Sequence, residues 1–593
     1  MGLSSADWLG QARASERAGQ LFKAYDLALQ GLGEHPEDVA LKHRAVLCLA
    51  RAGATRLAQR RYVEFGLAAA SDLEDVAALA ARLAKDEALA ALPGERAAKA
   101  AAAAADYLAI FRRTGGTYPA INAATLTLLA GDPAGAASLA HEVVAALGDD
   151  DGGDYYRVAT RIEALLLLGD VAAALAVAPQ VRALAGDDQA ALSTTWKQLR
   201  LVLDRKRLDP TGFAAVFAPA KVIHYAGHMI STSGRHARFV PAEEPAVRER
   251  IAAHLDAETV GAGYGSLASG ADILFAEALI ARGIGLHVVL PFDRDEFVEL
   301  SVRPSGEEWA ERFEACIAKA ASLRLATEDR YLGDDLLFAN CSRLAMGLAR
   351  LHARHLGAAV EQVAVWDGEA AIGPAGTAAD VASWRRRGLP QTIIPVSGSR
   401  TAPATPGPAR AGAGRVVRAM LFCDIKGFSR LTDSELPRYV GEMLGALGRV
   451  VNLYRADVSF GNTWGDGLFL VFEDATRAAS CALELQDVVT RLDLPALGLP
   501  PHLGMRVGGH VGPVYAAFDP VLQTTNYFGA HVSRAARIEP VTPPGCVYVT
   551  EPFAATLAFE AAEDFTCDYV GVTEAAKHYG AMRMFLLHRS GLA

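Results

Sequence analysis

Two acidic residues anchor the chemistry. Asp424 follows the apolar run Val416–Cys423, and Asp466 sits in Trp464-Gly465-Asp466-Gly467 before the apolar run Leu468–Phe472. Read as strands, the two runs place both carboxylates at neighbouring strand ends, Asp466 in a hairpin turn. Hard oxygen ligands so placed suit Mg²⁺ or Mn²⁺ that also holds substrate phosphates. Gly427, three residues after Asp424, lets the backbone come close to a triphosphate. Aspartate is also common in strand-terminal turns, so the pair alone does not decide between metal site and turn.

The elements that must position these residues follow from the pattern. A helix is expected over Ser434–Tyr454, a second over 474–490, a strand pair over about 504–518 and a helix over Gly529–Glu539. The order β-α-α-β-β-α-β suits a ferredoxin-like core.

Three motifs occur in order: Phe422-Cys423-Asp424-Ile425-Lys426-Gly427-Phe428-Ser429, Gly465-Asp466-Gly467 and Ala535-Ala536-Arg537-Ile538-Glu539. Together they make residues 416–593 resemble the class III adenylate/guanylate cyclase catalytic domain. The resemblance implies cyclisation of a nucleoside triphosphate, ATP above the others, with release of pyrophosphate. It implies two Mg²⁺ (or Mn²⁺) ions per site on Asp424, Asp466 and the main chain of Ile425. Gly427, Phe428 and Lys577 would bind phosphate, and Arg537 would stabilise the transition state. It also implies a homodimer in which one domain gives the metal aspartates and the other the remaining groups.

Three positions depart from the family. Asn462 and Asn526 stand at the base-reading positions, and Ser533 replaces the usual Asn four residues before Arg537. A carboxamide can donate or accept, so weaker base discrimination is expected. The same departures motivate an alternative, a scaffold that binds nucleotide with little or no turnover.

Residues 1–210 read as helical throughout, rich in Ala and Leu at 3–4 spacing. Turn glycines Gly53, Gly131 and Gly169 mark a period near 39, once doubled, as expected of stacked helix pairs. The segment Thr117-Tyr118-Pro119-Ala120-Ile121-Asn122-Ala123-Ala124-Thr125-Leu126 resembles the TRAFs-binding, TPR-like region of apoptosis-signal-regulating kinases. This implies either a protein-docking surface or a helical spacer.

Residues 218–396 alternate strand-like runs (Lys221–Ala226, Leu286–Leu290, Val363–Trp366, Thr392–Pro395) with amphipathic segments near 244–254, 271–282, 306–320 and 334–355, which indicates a parallel α/β sheet. Glycine loops follow: Gly227-His228, the run Gly263–Asp272, and Gly373–Thr377. With Trp366-Asp367-Gly368 they resemble the SLOG superfamily of Rossmann-like nucleotide-binding domains. That implies a sensor for a nucleotide-type ligand at Gly227, His228, Gly265, Gly270, Asp272, Gly376 and Thr377. The same glycines would also serve any tight βα turn. Residues 397–415 read as a flexible linker.

Composition bounds the rest. The chain has 593 residues, 51% apolar and 21% charged, with net charge −10 and pI about 5.9. No nucleic-acid partner is expected of such an acidic chain. Seven cysteines without CxxC spacing indicate neither a zinc site nor a disulfide framework. With no apolar run of membrane-spanning length and no signal-like N-terminus, no membrane association and a cytoplasmic location are expected.

Overall fold

Aspartate and glycine punctuate the N-terminal third. Twelve α-helices run from Ser5–Arg17 to Thr211–Phe217 among the described residues. The computed structural model describes residues 3–148, 153–186, 188–231, 236–333, 335–370, 373–397, 399–400, 414–578 and 580–590. Most of the linker expected over 397–415 lies outside them.

Gly131 and Gly169 end their helices at φ +100° and +88°, where a side chain would be strained. The next residues, Asp132 and Asp170, cap the following helices by accepting from the amides of Gly135 and Ala173. Each Gly-Asp pair thus turns one helix back on the next. The doubled interval also resolves. Helices Glu74–Ala90 and Pro93–Thr114 meet at Leu92, 39 residues after Gly53 and 39 before Gly131, with Pro93 starting the second helix in place of a glycine turn.

The middle region is a six-stranded, wholly parallel sheet. Its strands are β1 (Lys221–Gly227), β2 (Val260–Gly265), β3 (Gly285–Leu290), β4 (Ser322–Leu325), β5 (Val360–Trp366) and β6 (Gln391–Pro395), in the order β4-β3-β2-β1-β5-β6. The order reverses between β1 and β5. Helices Glu244–Ala257, Ala271–Ala281, Arg294–Ser301, Glu307–Lys319, Leu336–Leu356 and Thr377–Arg386 connect the strands.

Two strands differ from expectation. β2 occupies a glycine-rich segment that reads as loop, because its glycines serve packing. A Cβ on Gly263 would strike Leu279, and one on Gly265 would strike Tyr225. Gly265 is therefore a strand residue. β4 is short and half exposed, so it carries little apolar signal.

The C-terminal sheet has eight strands: β7 (Arg415–Lys426), β8 (Val458–Thr463), β9 (Leu468–Phe472), β10 (Gly504–Asp519), β11 (Thr524–Phe528), β12 (Val547–Thr550), β13 (Phe565–Glu574) and β14 (Ala581–Arg589). Their order is β8-β9-β7-β10-β12-β14-β13, with β11 paired to β10. The expected strand pair at 504–518 is one 16-residue strand, and its hairpin partner is β11. Gly508 and Gly512 inside β10 are not turns. Their bare α-carbons admit Ile538–Glu539 and His531 against the sheet. The expected helix Gly529–Glu539 is shorter, Ala530–Ala535, followed by a 3-10 turn at Glu539–Val541. The expected helix 434–454 holds a π-helical turn at Tyr439–Leu444.

The three regions share cores. N-terminal helices 5–90 and the C-terminal sheet form one apolar cluster, in which Phe22 stacks on Tyr569 at 4.2 Å. The Tyr569 hydroxyl donates to Asp26 Oδ2 at 2.8 Å. Helix Leu336–Leu356 packs on helix Glu551–Glu560, with Gly347 against Ala555. Among the described residues no helix is long and apolar enough to cross a membrane.

Candidate active site

Asp424 lies near the end of the central strand β7, between β9 and β10. Cys423, the preceding residue, pairs with Leu468, two residues after Asp466. The register thus brings the two aspartates together across 42 residues of chain. Their charges interact. Burial pushes the Asp466 carboxyl above the usual range, and the Asp424 carboxylate adds to it, while Arg506 opposes it. Gly465, at φ +94°, sets the turn, and its α-carbon packs against the Phe428 ring. Tyr439, edge-on to Phe428 at 4.9 Å, donates from its hydroxyl to Gly465 O at 3.2 Å. Gly427, at φ +96°, turns the chain so that Phe428 reaches this position.

Arg506 is the counter-charge. It pairs with Asp424 in the β7–β10 register and donates from Nη2 to Asp424 Oδ2, while its Nε lies 2.8 Å from Glu539 Oε1. The Glu539 carboxyl is pushed up to about 7, first by burial and then by Asp424. Arg506 escaped the sequence reading, because its partner Glu539 lies 33 positions away in sequence.

Among the described residues no group of three or more His, Cys, Asp or Glu is arranged to hold a metal ion. The donor set is two carboxylates; the Ile425 side chain is buried, which leaves only its main chain as a further oxygen source. Two repelling carboxylates and a backbone carbonyl fit Mg²⁺, which takes its other ligands from water and phosphate.

The second set of residues lies on neighbouring elements. Arg537 follows helix Ala530–Ala535, is partly exposed, and has no ion-pair partner among the described residues. Ser533 is exposed on that helix. The Ala576 amide donates to Arg537 O at 3.3 Å, which docks the turn carrying Lys577 beside the arginine. Lys577 is exposed, with φ at +59°. Asn462, on β8, is exposed and accepts the Thr463 amide at 2.9 Å. Asn526, on β11, donates to Asp519 Oδ2 at 2.9 Å and accepts the Tyr527 amide.

The middle region has its own crevice, a cavity of about 360 Å³ at the carboxyl end of β1, lined also by Ser266 after β2 and by Gly376 and Thr377 after β5. Such reversals are where open α/β sheets bind ligands. Gly227, His228, Asp272, Gly376 and Thr377 line it. Gly265 and Gly270 do not. A Cβ on Gly270 would strike the backbone of residues 228–230, so this glycine closes the loop onto β1. His228 Nε2 lies 3.0 Å from Asp367 Oδ1. Burial pushes both Asp272 and Asp380 up to about 7 in this crevice.

The C-terminal sheet carries a comparison with a known catalytic domain. Residues 416–589 match the adenylate and guanylate cyclase catalytic domain. The cyclase domain is thus the C-terminal part of a larger chain, whose residues 18–127 match a Tetratricopeptide Repeats-Sensor model. No curated protein matches the sequence. Similar solved structures include the guanylate cyclase domain of RhGC from Catenaria anguillulae in complex with GTP, at 19% identity, covering 29% of this chain and 97% of that one, with TM-score 0.25. Others are the adenylyl cyclase CyaB from P. aeruginosa (17%, 29% and 94%, TM-score 0.26) and an adenylate cyclase from Trypanosoma brucei (20%, 29% and 88%, TM-score 0.26).

The cyclase domain is tied to the middle region at the helix before Arg537. His531 Nε2 meets Thr327 Oγ1 at 2.8 Å, and its Nδ1 meets His510 Nε2 at 2.7 Å; His510 Nδ1 reaches Thr550 Oγ1 at 2.8 Å. Burial depresses His531 to about 3 and holds His510 well below its ordinary value. Both rings are therefore neutral at pH 7. Arg534 adds an ion pair to Glu328 at 3.4 Å.

Proposed function

We propose that the chain is a nucleotidyl cyclase that converts a nucleoside triphosphate, ATP in preference, to a 3′,5′-cyclic mononucleotide and pyrophosphate. The observation that carries this is the juxtaposition of Asp424 at the end of β7 with Asp466 in the turn before β9, two carboxylates close enough for each to act on the other. The 3′-oxygen forms a bond to the α-phosphorus as the bond to pyrophosphate breaks. Asp424, Asp466 and the Ile425 carbonyl would hold two Mg²⁺ or Mn²⁺ ions, which supply charge that acidifies the hydroxyl and offsets the leaving group. The Gly427–Phe428 turn lets the backbone approach the phosphates. Arg537, with a guanidinium free of carboxylates, is suited to the charge that builds on the α-phosphoryl group. Ser533 offers one hydrogen bond beside it, and Lys577 a further cation for the triphosphate. Asn462 and Asn526 read the base, each as donor or acceptor.

A homodimer is proposed, and the way the two sets face supports it. Glu539 turns to Arg506 and Asp424 of its own chain, whereas Arg537, two residues earlier, pairs with neither aspartate. Two chains related by a two-fold axis would make two composite sites. The middle region, read as Rossmann-like, is proposed to sense a nucleotide-type ligand. Asp272 and Asp380 suit sugar hydroxyls or base N–H groups, and Arg238, also lining the crevice, suits a phosphate. The helical repeats are proposed as a protein-docking surface.

The test is incubation of the full chain with each of the four nucleoside triphosphates and Mg²⁺ or Mn²⁺, with cyclic nucleotide and pyrophosphate both measured. Equal yields of both, abolished by Asp424→Asn and by Asp466→Asn in folded protein, are expected. Tight nucleotide binding with no product would instead mark a scaffold.

A further inference from the structure

A second cavity, of about 300 Å³, opens where all three regions meet. The N-terminal helices contribute Arg56 and Lys197, the middle region Arg354, and the cyclase domain Asp568 and His588. It lies away from both the aspartate pair and the β1–β5 crevice, whose lining residues it does not share.

Its charge is one-sided. The Lys197 ammonium donates to two neutral oxygens, His355 O at 2.9 Å and Arg51 O at 3.5 Å. Arg354 donates to Ala562 O at 3.0 Å, Phe565 O at 2.9 Å and Thr566 Oγ1 at 2.8 Å, all neutral. Neither cation meets a carboxylate in these contacts. The lining carboxylate Asp568 is already engaged, with Oδ2 3.0 Å from His588 Nε2. Arg56, which has contacts of its own, also lines the wall, as does Arg589, paired with Asp487 at 2.7 Å.

Lys197 lies deep among protein atoms, yet its side chain stays accessible, as expected of a group facing a water-filled cleft. Burial lowers its pKa to about 8; Arg82 and Arg51 add to the shift and Asp86 opposes it. An anion in the cleft would relieve the same field. Leu351, Leu557 and Phe565 add apolar lining that would accept an organic body. The volume is at the lower end of small-ligand sites. All this occurs in a chain of net charge −10, so the positive concavity is local and built.

We infer that this junction is a second ligand site, which takes an organic phosphate with at least two negative charges, of about mononucleotide size. Such a ligand would touch all three regions at once and hold them together.

Calorimetry on the full chain in EDTA, which removes divalent metal from the aspartate pair, tests this with AMP and pyrophosphate as dianionic and multianionic probes and adenosine as the uncharged control. Saturable binding of AMP or pyrophosphate is expected, weakened at least tenfold by Lys197→Gln and by Arg354→Gln. If those variants fail to fold, Arg56→Gln should still weaken binding severalfold. No saturable binding of either anion would overturn the proposal. So would unchanged affinity in the variants, or adenosine binding as tightly as AMP.

Discussion

Adding one methyl group at Gly347 should loosen the middle region from the cyclase domain. Gly347 lies inside helix Leu336–Leu356, where it meets helix Glu551–Glu560. A Cβ there would sit 2.6 Å from the Ala555 carbonyl carbon and 2.9 Å from its Cβ, against ordinary contacts of 3.4–4 Å. Since carbon pairs settle near 3.5–4.0 Å, the helices must part by about 1 Å. That movement breaks the bonds from Arg350 to Phe559 O at 2.9 Å and from Arg387 to Glu560 O at 2.8 Å. Overpacking costs about 1–3 kcal/mol, and each lost bond from a charged donor about 1.5–3 kcal/mol left unmade. Against this, alanine favours the helix by about 1 kcal/mol over glycine. The net, about 3–8 kcal/mol, is a hundredfold or greater rise in opening of the junction, at 1.4 kcal/mol per tenfold. Hydrogen exchange of the amides in Glu551–Glu560 reads this directly. Gly448→Ala is the matched control: that helical glycine faces open space, so it should exchange no faster than wild type. Equal or slower exchange in Gly347→Ala would refute the packing argument.

Further outcomes follow from the site. Asp424→Ala and Arg537→Ala should each be nearly inactive, yet a mixture should recover at most about half of wild-type activity per heterodimer; a dead mixture with proven subunit exchange would refute the shared site. Metal affinity should weaken as pH falls, because the raised Asp466 carboxyl binds a proton in competition with the cation; a metal dissociation constant independent of pH below 7 would contradict it. Asp272 has a folded value of about 7 against an ordinary 3.8, so its contribution to stability is present below 3.8 and is lost as pH rises to about 7. Asp272→Asn should therefore gain stability relative to wild type across that window in thermal melts, and a constant difference would oppose the assignment.

Asp424 and Asp466 stood out because each ends or interrupts an apolar run, and the strand register brings the two together; motif order pointed to the domain type matched over 416–589. What escaped depends on contacts distant in sequence. Arg506 and Glu539 form an ion pair across 33 positions, and no local pattern announces it. The glycines misled in both directions. Those of β2 read as a loop and those of β10 were passed over, yet all are strand residues whose missing side chains admit Leu279, Tyr225, Ile538 and His531. Gly270 read as a phosphate cradle, yet its α-carbon is covered by the backbone of residues 228–230. Glycine marks a close approach, and sequence does not say what approaches. In the helical third the Gly-Asp turns were legible because cap chemistry is local, and only the turn at Leu92, which lacks the glycine, was hidden.

The meeting of Thr327 with His531 fixes where this protein can be divided. A cut in the 397–415 segment is the obvious way to free a catalytic fragment. That fragment would leave His531 without its hydroxyl partner and Arg534 without Glu328, on the very helix that leads into Arg537. Each neutral imidazole has one donor and one acceptor nitrogen, so the row Thr327–His531–His510–Thr550 satisfies all four ring nitrogens, and losing its first member leaves His531 Nε2 without its partner. Rates measured on such a fragment would describe a domain whose arginine helix has been released, not the resting chain. In the same way, a chimera that grafts a foreign middle region onto this cyclase would have to carry residues 326–330 across with the cyclase. The functional boundary of the catalytic unit therefore runs through the middle sheet rather than along the linker.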